Sequence, residues 1–212
     1  MSASTTASIG AGRAAVATDA LLLKGSYEGD DEFLRELLKS LPDALSDTPV
    51  RVKAVLSKTR QDFYVYLHFD AQARFAQVAA KKLESAWQVK WPQLKNLQVS
   101  RLEKVFAAQG LSADSEPVFH YVVEMDPEAG WMPALSDWYD TEHMPGLATV
   151  PGCVRATRYL NHDHGPLSLA CYDLVTEETL GSAVWLAVRG TEWSSRMRPR
   201  FTNTIRSMFR YA

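Results

Sequence analysis

The feature that most constrains this chain is a series of elements that occurs twice in the same order, each time within about a hundred residues, the length of a small domain. Alternation of apolar and polar residues predicts strands, and an apolar repeat near 3.6 predicts helices. In the first half this spacing predicts a strand at 20–26, a helix at 31–41, strands at 50–56 and 63–69, a helix at 71–89 and a strand at 98–106. In the second half it predicts a strand at 118–125, a helix at 129–144, strands at 154–160 and 167–174, a helical region at 177–196 and a strand at 202–210. Leu41-Pro42 matches Met144-Pro145, and Val52-Lys53-Ala54 matches Val154-Arg155-Ala156, so an internal duplication is expected.

Each repeat reads β-α-β-β-α-β, the order of a ferredoxin-like unit with a four-stranded antiparallel sheet and both helices on one face. The other sheet face needs a cover, and two units in one chain can cover each other. The expected fold class is therefore α+β, with two tandem ferredoxin-like βαββαβ units packed sheet to sheet. A tail or arm is expected at 1–19, a first unit at 20–108, a linker at 109–116 and a second unit at 117–212.

Composition supports a folded chain, since 46% of its 212 residues are hydrophobic and only 23% are charged. The 23 Lys and Arg nearly balance 25 Asp and Glu, for a net charge of −2, which gives no general pull toward nucleic acid or an anionic membrane. The longest apolar runs, Ala20 to Leu23 and Ala183 to Val188, are too short to span a bilayer. Residues 1–18 are rich in Ser, Ala, Thr and Gly and lack the apolar core of a secretory signal. Cys153 and Cys171 lack metal-ligand or redox-pair spacing, so both are expected to be packing residues of a cytoplasmic protein. The chain has no Gly-rich phosphate loop, nucleophile elbow or HExxH, and His162 and His164 flank Asp163 in a turn before Gly165-Pro166 that reads as a surface loop. Neither a metal nor a cofactor is expected.

The halves differ at Trp138-Tyr139-Asp140-Thr141-Glu142-His143-Met144-Pro145-Gly146. A helix there places Leu135, Tyr139 and His143 on one stripe, and Pro145-Gly146 is expected to stop it. His143 would then lie in the last turn, where the helix dipole favours the protonated imidazole, free either to cap carbonyls or to trade protons. Trp131 and Trp138 offer a flat wall for an aromatic ligand. Ser40 stands at the matching place in the first half, which therefore reads as the structural copy, although Tyr64, Tyr66 and His68 alternate on one strand face and could line a cavity. In the strand at 118–125, alternation puts His120 and Glu124 on one face, toward either a pocket or solvent. Arg158 and Tyr159 point to opposite faces of their strand, so at most one reaches the cavity of His120. Near the C-terminus, Trp193 and Arg196 read either as a stacking and carboxylate-gripping pair or as a solvated basic rim.

With its following Val150-Pro151-Gly152 and the strand Val154 to Tyr159, the 138–146 segment resembles the EthD-like branch of the dimeric α+β barrel superfamily. The resemblance covers mainly 117–212. It implies that the two units form an intrachain dimeric α+β barrel. It also implies a pocket between helices and sheet, or inside the barrel, for a hydrophobic and often aromatic metabolite. His143 matches the helix-end histidine of that branch and Tyr139 the aromatic residue one turn before it. The expected function is a cofactor-independent lyase or isomerase that works by acid-base catalysis on an aromatic or phenolic metabolite. His143 is the expected acid or base, Tyr139 orients the substrate or donates to a developing oxyanion, and His120, Arg158 or Arg196 stabilises negative charge, with Trp138 and Trp193 against the ring. His143→Ala should then lower turnover at least about a hundredfold. The alternatives are a metabolite-binding accessory protein and a cofactor-free monooxygenase; a haem enzyme would need His143 or His120 as axial ligand. Edge strands and exposed apolar residues favour a homodimer.

Overall fold

The computed structural model describes residues 15–28, 31–41, 45, 49–58 and 61–212. Eight antiparallel strands close into a barrel. The first unit supplies β1 (Val16–Tyr27), α1 (Asp31–Ser40), β2 (Val50–Leu56), β3 (Asp62–Phe75), α2 (Gln77–Lys90) and β4 (Leu94–Gln109). The second supplies β5 (Phe119–Pro127), α3 (Met132–Trp138), a π-helical turn (Tyr139–His143), α4 (Met144–Ala148), β6 (Cys153–Asn161), β7 (Ser168–Leu174), α5 (Ala183–Arg189), α6 (Glu192–Met197) and β8 (Phe201–Tyr211). Around the barrel the order is β1-β3-β2-β8-β5-β7-β6-β4, so each four-stranded sheet joins the other at both edges.

Strand alternation sorts side chains into three cores. On β1, Leu21 and Leu23 pack beneath α1 and α2, whereas Ala20 and Leu22 face the barrel interior. On β5, Phe119 and Tyr121 pack beneath the second unit's helices, whereas Val122 faces the interior. The barrel wall is closed unevenly. β4 pairs with β6 from Leu102 opposite Asn161 to Gln109 opposite Arg155. β2 meets β8 only at Val55–Tyr211 and Leu56–Arg210 among the described residues. The earlier part of β2 thus lacks a neighbour on that side, and the wall opens beside Lys53.

Several expected boundaries move. β1 begins at Val16, and β3 continues to Phe75 because Val16 to Thr18 pair with Ala73 to Phe75; the helix expected from residue 71 starts only at Gln77. Residues 1–14 of the expected tail lie outside the described residues. The helical region at 177–196 is broken at Ser182 and Thr191, whose side chains accept from the backbone N–H groups of Trp185 and Ser194 and so start α5 and α6 anew.

Pro145-Gly146 does not stop the helix. The chain widens to a π turn, in which the Met144 N–H bonds Tyr139 O, and Pro145 falls in the first turn of α4, where a missing N–H costs least. Gly146 is needed for contact, since a Cβ there would lie 2.9 Å from Val188 Cγ1. No helix among the described residues is long and apolar enough to cross a membrane.

Candidate functional site

The barrel interior is apolar at its waist and charged at both ends. At one end Lys24 Nζ lies 3.1 Å from Glu124 Oε2, and the Tyr64 hydroxyl donates to Glu124 Oε1. At the other, beside the open seam, β2, β3, β5 and β7 bring together Lys53, Tyr66, His120 and Asp173. Lys53 Nζ is 2.6 Å from Asp173 Oδ1, and His120 Nδ1 is also 2.6 Å from that oxygen. His120 Nε2 is 3.0 Å from the Tyr66 hydroxyl. One proton arrangement satisfies this geometry: Nδ1–H donates to Asp173 and Nε2 accepts from Tyr66. The 3.0 Å approach of Lys53 Nζ to Nδ1 is then a contact between two donors, held by the carboxylate they share.

The electrostatics follow. Burial lowers the His120 pKa to about 4, helped by the Lys53 charge and opposed by Asp173, so its imidazole is neutral near pH 7. Burial pushes Asp173 up, but the Lys53 ammonium and the His120 hydrogen bond outweigh it and hold the carboxyl well below the usual range. His68 stacks on Tyr66 with centroids 5.8 Å apart. Burial, with Lys53 and Arg51 nearby, lowers its pKa to about 4.

Above this cluster lies an open cleft of about 920 Å³. Lys53, His68, Asp173 and Tyr211 reach its floor; Arg51 and Arg155 add positive charge; Leu34, Leu38, Val52, Ala54 and Pro117 give it an apolar side. Lys53, His68, Arg155 and Asp173 also bound an inner chamber of about 50 Å³ below, which Tyr66, His120 and Cys171 help to line. That is room for ordered water.

The structure separates residues that the sequence had grouped. His120 faces the interior from β5, while His143 and Tyr139 pack in the apolar layer beneath the helices with Tyr121, on the other face of that strand. They cannot act on one substrate atom. His143 is not protonated at a helix end: burial, with the charges of Arg189 and Arg198, lowers its pKa to about 3. Its ring centroid lies 4.2 Å from that of Trp138, and its Nδ1 is buried without a hydrogen-bond partner among the described residues. The cavity beside it measures about 30 Å³, enough for water-sized groups.

Trp138 donates from Nε1 to Glu142 Oε1 at 3.2 Å. Arg158 is buried on the helix side, not in the barrel, where it donates to both oxygens of Asp140 and lies 5.4 Å from the Tyr139 ring centroid. Trp193 packs against the second unit's core. Arg196 points to solvent; Arg189, Arg198 and Arg206 line the small cavity in its place. The first unit supplies Lys53, Tyr66 and His68 to the interior cluster. His162 and His164 sit in the surface loop, paired with Glu103 and Glu84. Among the described residues no group of three His, Cys, Asp or Glu side chains is placed to hold a metal ion.

Sequence reasoning missed Lys53, Arg155 and Asp173. The signal for Lys53 was the strand Val50-Arg51-Val52-Lys53-Ala54-Val55, whose charged face turns out to be the one aimed inward. Asp173 carried no signal of its own, because its place opposite His120 depends on the long-range register of β5 with β7.

No family model matches the chain, and no curated protein matches its sequence. Its fold has clear counterparts. A candidate monooxygenase from Lactobacillus acidophilus NCFM aligns over 92% of this chain and 93% of its own, with a TM-score of 0.58 and 12% identity. An anthrone oxidase-like protein aligns over 91% of each chain, with a TM-score of 0.57 and 10% identity. A chlorite dismutase from Candidatus Nitrospira defluvii, in complex with imidazole, aligns over 92% of each, with a TM-score of 0.56 and 11% identity. The fold is the dimeric α+β barrel, built within one chain. At these identities the likeness is one of fold, and function has to be argued from the site.

Proposed function

We propose that the cleft over the barrel end is the active site of a lyase or isomerase that moves protons on a hydrophobic, negatively charged small molecule, with an aromatic or phenolic metabolite as the best fit. The observation that carries this reading is the Lys53–Asp173–His120–Tyr66 chain, which reaches through Lys53 and Asp173 the floor of a cleft of about 920 Å³, a volume suited to a small metabolite. Arg51, Arg155 and Lys53 favour a carboxylate, phenolate or enolate, and the apolar side holds the carbon skeleton.

In this scheme the Lys53 ammonium faces the oxygen on which negative charge develops, and Asp173 fixes it there. His68, neutral at the cleft wall, is the base that takes a proton from carbon. The His68 imidazolium so formed returns that proton to another carbon of an isomer or to the leaving fragment, while Tyr66, held by His120, borders the inner chamber and orders water there. His120 thus keeps a place in the site, whereas His143, Tyr139, Trp138 and Arg158 act on the other side of the sheet and support the fold.

The test is product detection by mass spectrometry with a panel of phenolic and polycyclic acids, in air and under nitrogen, for the wild type, His68→Ala and Lys53→Met. The expected result is an oxygen-independent loss of a small fragment or an isomer of unchanged mass. Each variant should lower turnover about a hundredfold, the lower end for losing an acid-base group. The rate should be flat near neutral pH and fall as pH drops through about 4, where the His68 imidazole protonates. Oxygen-dependent products would instead establish a monooxygenase, and tight binding with no product an accessory protein.

A further inference from the structure

A second feature lies outside the cleft, on the helix side of the second unit. Arg189 ends α5, Arg198 follows α6, and Arg206 projects from β8; all three line the cavity into which His143 is set. None of the three has a carboxylate within ion-pair distance among the described residues. Glu142, next to His143 in sequence, is held instead by Trp138 Nε1 and by Thr191 Oγ1, at 3.2 Å and 2.7 Å.

Three like charges around one opening repel one another. Burial and the charges of Arg189 and Arg206 lower the Arg198 pKa. The C-terminal ends of α5 and α6 offset part of this, since cations are favoured there. The offset does not reach the His143 ring, which lines the same cavity and whose Nδ1 is buried with no hydrogen-bond partner among the described residues. An imidazole and three guanidinium groups thus converge on one cavity, a set of donors that suits an anionic acceptor.

We propose that this pocket binds a compact oxyanion of the phosphate type. The His143 imidazole would donate to its innermost oxygen, and Arg189, Arg198 and Arg206 would hold the remaining oxygens from the rim. Size decides the class. A cavity of about 30 Å³ admits one or two oxygen-sized atoms, which excludes an aromatic ring but suits the buried corner of a tetrahedral anion. Guanidinium groups match such oxygens with paired hydrogen bonds, and three of them favour a dianion over a monoanion.

The test is calorimetric titration of the full chain with inorganic phosphate and with methyl phosphate, at constant ionic strength, for the wild type, Arg198→Gln, Arg206→Gln and Lys81→Gln. Lys81 is exposed on α2 of the first unit and controls for a general change of charge. Saturable binding is expected in the wild type, weakened about tenfold or more in each arginine variant, the usual loss for one charge-assisted contact, and unchanged in Lys81→Gln. Binding of both ligands identifies a phosphoryl group as the recognised unit, and binding of phosphate alone identifies the free ion. No saturable binding at millimolar phosphate, or equal weakening in Lys81→Gln, overturns the proposal; thermal melts of each variant show whether a loss reflects the site or the fold.

Discussion

Two buried histidines on opposite faces of one sheet separate what burial does from what partners do. His120 and His143 are 1% and 8% exposed, and burial is the largest cause of a lowered pKa in both. Yet His120 uses both ring nitrogens, one against Asp173 and one against Tyr66. His143 lies between aromatic rings with Nδ1 unpaired. A lowered pKa alone therefore does not make a catalytic base. What distinguishes the interior site is a chain of donors and acceptors that leads to a cleft wide enough for a substrate.

The largest expected effect is one the two faces share. His68 and His120 titrate near 4 and His143 near 3 in the folded protein, against about 6.5 when unfolded. Each folded pKa is depressed, so the stability each contributes is complete above about 6.5 and is lost as pH falls toward the folded values. Each group adds about 1.4 kcal/mol per pH unit in that window, so denaturant midpoints should drop steeply between about pH 6.5 and pH 4.5 by an amount worth several kcal/mol. A midpoint that stays level across this range would mean that these imidazoles are already protonated in the folded chain, and the comparison would fail for both faces.

A smaller effect separates the faces. Lys53→Met removes one partner of a largely buried pair and leaves the Asp173 carboxylate without its cation, held by His120 and Tyr211. The expected loss is about 3 kcal/mol in chemical denaturation, the low end for breaking such a pair because both side chains keep some solvent. A loss under about 1 kcal/mol would class Lys53–Asp173 with ordinary surface ion pairs and remove the argument that the interior cluster is held rigid for chemistry.

How much of this was legible depends on the range of the interactions involved. Local alternation correctly put His120 and Glu124 on one face of β5 and Arg158 and Tyr159 on opposite faces of β6, because a strand has a fixed period of two. The same alternation could not tell which face of β2 is inside. Arg51 and Lys53 look like a solvated edge until the barrel closes around them, since the usual rule of apolar residues inward is reversed near the cleft. The helix was visible from its repeat over 129–144, but its passage through Pro145 was not. The π turn is a tertiary compromise that seats Tyr139 and His143 against Trp138 and Phe201, and no residue in the segment requires it by itself. The pairing of Asp173 with His120 was illegible for a third reason: it is set by the register of two strands that bring together residues 53 positions apart in sequence, to which neither residue's neighbours refer.

The smallest expected effect sharpens the contrast most. His143→Phe keeps an aromatic ring of similar shape against Trp138 and removes the unpaired Nδ1. A buried polar atom without a partner costs about 1–3 kcal/mol; replacing it with carbon should recover about 1 kcal/mol of that, because the ring must still settle into a cavity shaped for imidazole. The denaturation midpoint at neutral pH should therefore rise slightly. The acid dependence should become shallower by one proton, since the variant lacks one of the three groups that protonate on unfolding. The corresponding change on the other face, His120→Phe, has the opposite sign, because it strips Asp173 and Tyr66 of a hydrogen-bond partner each. A His143→Phe variant destabilised by more than about 2 kcal/mol would show that Nδ1 has a partner in solution. A hundredfold fall in turnover with the fold intact would return the catalytic role to His143 and move the active site to the helix side of the sheet.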